Sequence, residues 1–480
     1  MQSNFIDNFI LGNGYLSNQA DINMGDTKFS PLDIGVLGVI YTYGFILFLI
    51  AFSWFSKLWL DSFSKINTKL YTFCFSVLYL NMLFTGTFFF RPYQIMVLLI
   101  FYMLFNRNKI DLKKGVAINE SAGFLRLRHT ILADAWRKEY LEGKRNDSML
   151  YGYGNAVTPG IEVDYCRFNK FERLLFKDNI IGKLYLYCIK LPLLLLKYDV
   201  VWTHVDRDAL FIARLRRIPI INNFFAKHIA NFVWLIDHSQ NYSDKQLNKI
   251  KKLLKSIDKI LYLSTAEKAE FISKYQCEQS QLLYTRYGIN FSAYEYNALS
   301  VKPIGFDKKN FILSVGTDQH RDLELLNIIA EKNPDKQFII CSGNPEHHKR
   351  SFSRDNVTII RASYNEMVYL YHACKFVVIP LKFNFHASGI TTLLEAAAAR
   401  KAVLLNYTPG LEDYGQHDNT CLFASLGDVE SFDRNLNKLW DSEELRNRLA
   451  ENAYKYLHSD FNTYKYSKIY IELSKEILGI

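Results

Sequence analysis

Between His386 and Gly410 the chain runs through a small-residue loop, a helix bearing a single acid, an apolar strand and a turn. Ser388 and Gly389 sit where they can offer backbone N–H groups at the start of that helix, and the partial positive charge there suits a diphosphate. Glu395 lies about two helical turns further in, within reach of a ribose. Sugar-nucleotide binding follows as one reading of the segment. An ordinary αβ unit with a satisfied N-cap is the other, and the segment alone leaves both open.

Those residues need elements to hold them. The chain has 480 residues, 49% hydrophobic and 15% aromatic, enough for two or three domains with separate cores. A formal charge of +10 favours anionic partners: phosphorylated donors, acidic lipid or nucleic acid. With no arginine-rich tail, zinc-ligand spacing or aromatic RNA-binding signature, nucleic acid is set aside. The seven cysteines are scattered without a Cys-x-x-Cys pair, as expected of a reduced, cytoplasmic setting.

Apolar character gathers at the N-terminal end. Ile34 to Phe55 carries no charge and is long enough to cross a bilayer. Leu70 to Phe90 and a shorter run over 92–106 follow, so residues 1–112 read as a membrane region of about three helices. Lys57, Lys65 and Lys69 after the first helix, and Arg107, Lys109, Lys113 and Lys114 after the third, belong on the cytoplasmic side. Localisation to the inner (cytoplasmic) membrane with the large C-terminal part inside is the expectation. The first 105 or so residues, through Leu11-Gly-Asn-Gly-Tyr15 and Asp33 to Gly44, resemble the C-terminal end of O-antigen polymerases and ligases. The resemblance implies a remnant that holds the rest of the chain at the membrane.

Beyond Lys113 strands and helices alternate, as in a parallel sheet covered on both faces. Expected strands are Val116 to Asn119, Ile161 to Tyr165, Val200 to Thr203, Pro219 to Ile221, Phe232 to Ile236, Ile260 to Leu263 and Leu282 to Tyr284. Helices are expected at Arg128 to Leu141, Gly182 to Leu195, Asp206 to Arg216, Asp244 to Lys255 and Thr265 to Lys274. A second series gives strands at Phe311 to Val315, Gln337 to Cys341, Val357 to Ile360, Phe376 to Ile379, Ala402 to Leu405 and Cys421 to Phe423. The stretch 290–307, with Pro303 and Gly305, reads as a linker. The division is 113–300 for an acceptor domain and 301–480 for a nucleotide-sugar domain, two Rossmann-like domains facing a cleft.

Tyr287-Gly-Ile-Asn290, Leu313-Ser-Val-Gly316, Ser363 to Pro380 and Ser388 to Gly410 come in an order and spacing that resembles family 4 glycosyltransferases of the GT-B fold. That resemblance implies an α/β enzyme transferring a hexose from a nucleoside diphosphate sugar with retention of configuration. Gly316 and Arg321 would approach the diphosphate, Ser388, Gly389 and Thr391 would form its phosphate loop, and Glu395 would bind ribose. The family's first glutamate is absent: Ala387 stands in its place, with His386 beside it as a donor contact. Asp237 and His238 are the expected catalytic residues of the first domain, with Arg321 stabilising the leaving group; Thr203-His204-Val-Asp206 is a further cleft candidate. Ser121-Ala-Gly123 reads as the remains of a glycine-rich loop. A metal-independent reaction without cofactor is expected, the donor being a substrate. The natural acceptor for a membrane-held enzyme is a polyprenyl-linked saccharide, in O-antigen or capsule assembly. The competing reading is a catalytically impaired nucleotide-sugar-binding membrane protein, or a fused fragment of an O-antigen polymerase. Lys245, Lys249, Lys251, Lys252, Lys255 and Lys259 beside an apolar stripe suggest a helix face that leans on anionic lipid or is simply solvated.

Overall fold

The computed structural model describes residues 225–480 continuously and, ahead of them, 198–217, 150–156, 137–142 and a few shorter pieces, with strands at 22–24, 27–29, 122–127 and 161–165. The expected membrane helices, the strand at 219–221 and most of the helices over 128–141 and 182–195 lie outside the described residues. Among the described residues no helix is long and apolar enough to cross a membrane. The chain divides into two compact units, 1–118 and 119–480. In the first, β1 (Ile22–Met24) and β2 (Thr27–Phe29) pair antiparallel.

The second unit holds two six-stranded parallel sheets. One comprises β3 (Ala122–Leu127), β4 (Ile161–Tyr165), β5 (Val200–Thr203), β6 (Lys227–Asn231), β7 (Lys259–Tyr262) and β8 (Leu282–Tyr284), in the order β4-β3-β5-β6-β7-β8. Its helices include α1 (Asp206–Leu215), α2 (Leu235–Ser239), α3 (Asp244–Leu254) and α4 (Glu267–Tyr275). The other comprises β9 (Phe311–Val315), β10 (Gln337–Cys341), β11 (Val357–Ile360), β12 (Phe376–Ile379), β13 (Val403–Asn406) and β14 (Leu422–Ala424), in the order β11-β10-β9-β12-β13-β14. That is the doubly wound order, which opens a crevice where β9 and β12 diverge at their C-terminal ends. Strands β9, β12 and β13 are buried at every residue, as sheets covered on both faces require.

Helices α5 (Leu323–Lys332), α6 (Tyr364–Ala373), α7 (Ile390–Ala398), α8 (Val429–Asp441) and α9 (Glu443–His458) cover the second sheet. Their ends are written in the sequence: Ser363 and Glu366 form a capping box for α6, and Ser243 and Gln246 one for α3. The last helix, α10 (Thr463–Leu478), returns to the first sheet. There Trp202 Nε1 donates to Ser474 Oγ at 2.9 Å, and Tyr466 and Tyr470 pack on Tyr153. One apolar cluster consequently runs from Trp202 and Ile229 through Tyr466 to Leu313 and Leu393, joining both lobes.

Two sequence expectations in the first lobe are corrected. The apolar run Phe232 to Ile236 is not a strand: β6 ends at Asn231 and α2 takes up Leu235. The Asp206 carboxylate accepts the Val233 and Trp234 amides at 2.9 and 3.1 Å, which removes them from any ladder. A strand lies at Ala122–Leu127, and Gly123 sits inside it opposite Glu162, so Ser121-Ala-Gly123 is no phosphate loop; the strand expected at 116–119 lies outside the described residues.

Candidate active site

Where the two sheets face each other a cavity of about 740 Å³ opens at the C-terminal ends of β5, β6, β9 and β12. Its second-lobe wall is built around Arg321. The turn after β9 reverses at Gly316 (φ +150°), and a Cβ there would stand 2.3 Å from Arg321 Nε. On the other side Gly389, the N-cap of α7 with φ +92°, would place a Cβ 3.2 Å from Arg321 Nη1. Two residues without side chains thus make room for one guanidinium.

Arg321 is 7% exposed. Its Nη2 donates to Thr392 Oγ1 at 2.8 Å, and that hydroxyl donates on to Val315 O at 3.0 Å. Among the described residues Nε and Nη1 find no partner, and neither does Ser388 Oγ on the same wall. Burial lowers the Arg321 pKa, but a guanidinium stays protonated in proteins. A buried cation with unused donors at a helix N-terminus is chemistry for an anion.

The sequence reading is refined at Ser388. Its amide donates to Asn384 Oδ1 at 3.0 Å, so it is the buried hydroxyl rather than the N–H that is left without a partner among the described residues. Thr391 lies exposed on the wall, and Ala387 holds a left-handed φ of +51°. Glu395 also lines the cavity, carrying Tyr294 Oη on one oxygen and Tyr371 Oη on the other, the latter at 2.7 Å. Tyr294 belongs to the segment linking the lobes, so the helical turn at Phe291–Tyr294 ties that linker to the carboxylate.

A chain of charged groups crosses the cleft. Asp237 accepts the Phe385 amide at 2.8 Å and the His386 amide at 3.2 Å, and it also bonds His386 Nδ1. His386 Nε2 meets Asp318 Oδ2 at 3.0 Å, while Asp318 Oδ1 accepts the His320 amide at 2.8 Å and His320 Nδ1 at 3.1 Å. Burial alone would depress the His386 pKa; the bonds and charges of Asp237 and Asp318 outweigh it and raise it to about 9. Burial would likewise raise both carboxyls, yet His320 and His386 hold Asp318, and His386 holds Asp237, below the ordinary carboxylate range. Asp237, His320 and His386 bring three ligand atoms within 4.8 Å of one another. His386 already spends both ring nitrogens on carboxylates, which makes the group a hydrogen-bonded chain rather than an open ligand set.

On the first-lobe wall stand His204 and Trp234. His204 Nδ1 lies 3.1 Å from Asn231 Nδ2 and 3.3 Å from Tyr466 Oη, so the C-terminal helix reaches the cavity through it. His238 does not line the cavity: it sits on α2 with Nε2 3.5 Å from Gln319 Nε2. The placement of Asp237 and His238 after an apolar strand fails with that strand, and Asp237 bridges the lobes from a helix instead. Gly316, Arg321, His386, Ser388, Gly389, Thr391 and Glu395 do come together on one wall. Sequence reasoning missed Thr392, Asp318 and the exposed Arg361, and Trp234 of the first lobe, which also line the cavity. Asp318, inside the segment that contains Arg321, was open to notice; Trp234 was hidden by its misread strand.

Residues 299–456 match the family model described as Glycosyl transferases group 1, and form a domain of that family. A curated relative, O-antigen chain mannosyltransferase C of Escherichia coli, is 27% identical over 178 residues, 35% of this chain and 47% of that one. The chain thus spans about half the length of the curated relative it matches. Among solved structures, HepE of Anabaena in complex with UDP and glucose superposes with a TM-score of 0.55 at 12% identity, over 74% of this chain and 99% of that one. Sucrose-phosphate synthase from Thermosynechococcus elongatus gives 0.54 at 14% identity, over 75% and 100%. These likenesses show the fold, a GT-B arrangement of two parallel-sheet lobes.

Proposed function

With a glycosyl transferases group 1 domain as its second lobe, we propose that this protein transfers a hexose from a nucleoside diphosphate sugar to a polyprenyl-linked saccharide, with retention of configuration, at the inner membrane. Arg321 carries the reading: a buried guanidinium between Gly316 and Gly389 whose Nε and Nη1 lack partners among the described residues. A diphosphate would take those donors with Ser388 Oγ, and its charge would be met by the start of α7. Glu395, two turns into that helix, would receive the ribose. Leaving-group charge would be offset by these fixed donors without a divalent ion. The relative named for O-antigen mannosyl transfer favours cell-surface polysaccharide as the product, and the uncharged run Ile34 to Phe55 favours membrane anchoring.

The test is release of nucleoside diphosphate from UDP-glucose and GDP-mannose by the purified full chain with a lipid-linked saccharide extract. Turnover is expected to persist in a chelator and to fall by about a hundredfold or more in Arg321→Ala, as for loss of a main oxyanion donor. Activity abolished by the chelator and restored by manganese would overturn metal independence. Nucleotide binding without turnover of any donor would favour a binding protein that has lost its chemistry.

A further inference from the structure

We propose that the cleft contains a sugar subsite in which Asp318 reads the hydroxyls of the transferred sugar and Trp234 supports its ring, selecting a neutral hexose. This deepens the nucleotide-sugar reading and rests on it.

The cavity wall offers two carboxylates, Asp318 and Glu395. Glu395 is only 6% exposed, and each of its oxygens receives a tyrosine hydroxyl. Asp318 is fixed differently: the His320 amide and ring hold Oδ1, and His386 Nε2 holds Oδ2. A carboxylate carries about four lone-pair sites; two on Oδ1 and one on Oδ2 are taken, so acceptor capacity remains on Oδ2. Its side chain keeps 21% of its surface open, whereas the His386 that orients it keeps 3%. An ionised carboxylate locked by two rings and facing a cavity is a preorganised acceptor, and the donors it fits are hydroxyls.

Opposite it the half-buried Trp234 lines the same cavity from the first lobe. Its ring lies 6.3 Å from the His386 ring. Asp206 fixes the backbone beneath it by accepting the Val233 and Trp234 amides. Indole is a large apolar surface with a polar edge, suited to the C–H face of a pyranose. Apolar platform and hydroxyl acceptor thus stand beside Arg321, where the diphosphate would end. A sugar bearing its own carboxylate would set like charges together at Asp318, which disfavours a uronic acid.

Affinities of UDP, GDP, UDP-glucose, GDP-mannose and UDP-glucuronic acid for the full chain in detergent test this by calorimetry. For the base that binds, Asp318→Asn is expected to weaken the hexose-bearing nucleotide about tenfold or more while the bare diphosphate changes less than about twofold. Trp234→Leu should act in the same direction, and it serves if the first variant does not fold. Equal losses for diphosphate and sugar nucleotide in both variants, the mark of a merely structural role, would overturn the subsite. So would unaltered affinities, or a uronic acid donor bound as tightly as its neutral counterpart. If the unaltered protein binds none of the five, the nucleotide reading falls and the subsite with it; diphosphate binding that Asp318 and Trp234 leave undivided sinks the subsite alone.

Discussion

Removing the charge on His386 should loosen the bridge between the lobes, and the pH dependence can be worked from its surroundings. Its pKa stands at about 9 against an ordinary 6.5. A group raised on folding contributes stability that is fully present below 6.5 and is lost as pH rises through about 9. Between about pH 7 and about pH 9.5 that loss comes to about 2 kcal/mol, at ~1.4 kcal/mol for each tenfold difference in proton affinity. Asp237 and Asp318, both held below the usual range, stay ionised over this window. The buried thiols Cys277, Cys341, Cys374 and Cys421, pushed up to between about 11 and about 12 by burial, also favour the unfolded chain at high pH. The informative quantity is therefore the difference between the unaltered protein and His386→Gln, which lacks only the imidazole titration. Thermal melts across the window should show the unaltered protein losing about 3 °C more than the variant, for a folded body of this size. Parallel curves would refute the reasoning, because they would mean that the imidazolium contributes nothing to holding the two aspartates.

Two substitutions separate shape from charge elsewhere in the cavity. Gly316→Ala puts a Cβ 2.3 Å from Arg321 Nε at a left-handed φ, so the guanidinium must move; nucleotide affinity should fall about tenfold or more while circular dichroism keeps its native form, and unchanged affinity would show that Arg321 does not need that turn. Tyr371→Phe leaves Glu395 with a vacant lone pair in a buried site and should cost about 1 to 3 kcal/mol in denaturant unfolding, whereas Tyr464→Phe, 63% exposed, should stay within about 0.5 kcal/mol.

The second lobe was legible because its strands are short apolar runs bounded by strong helix starts. Phe311–Val315, Gln337–Cys341, Val357–Ile360 and Phe376–Ile379 coincide with the runs read from sequence. The first lobe misleads for a physical reason: β6 reads Lys-His-Ile-Ala-Asn, in which the polar His228 and Asn231 are buried and bonded, His228 to Thr203 and Asn231 to His204. Periodicity gave the strand to the apolar residues after it, since a buried helix and a buried strand look alike over five residues. Arg321 and its flanking glycines could be picked out from residue type, because backbone stripped of side chains beside a cation leaves room for an anion to approach both. The chain from Asp237 through His386 to Asp318 could not, as its members stand 149 and 68 residues apart.

The division of labour between the lobes follows from where charge can be held without solvent. The second lobe pairs a left-handed turn with a helix start, so it can keep Arg321 buried and still leave donors for an anion. Among the described residues the first lobe places no such cation on the cavity wall; it contributes His204 and Trp234, each fixed by neighbours outside the cavity. Tyr466 reaches His204 from α10, the helix that also packs Ser474 on Trp202. By accepting the 385–386 amides Asp237 ties the helix after Trp234 to the segment that carries His386, so the two walls of the cavity are held to each other at its polar end as well as through the shared apolar cluster.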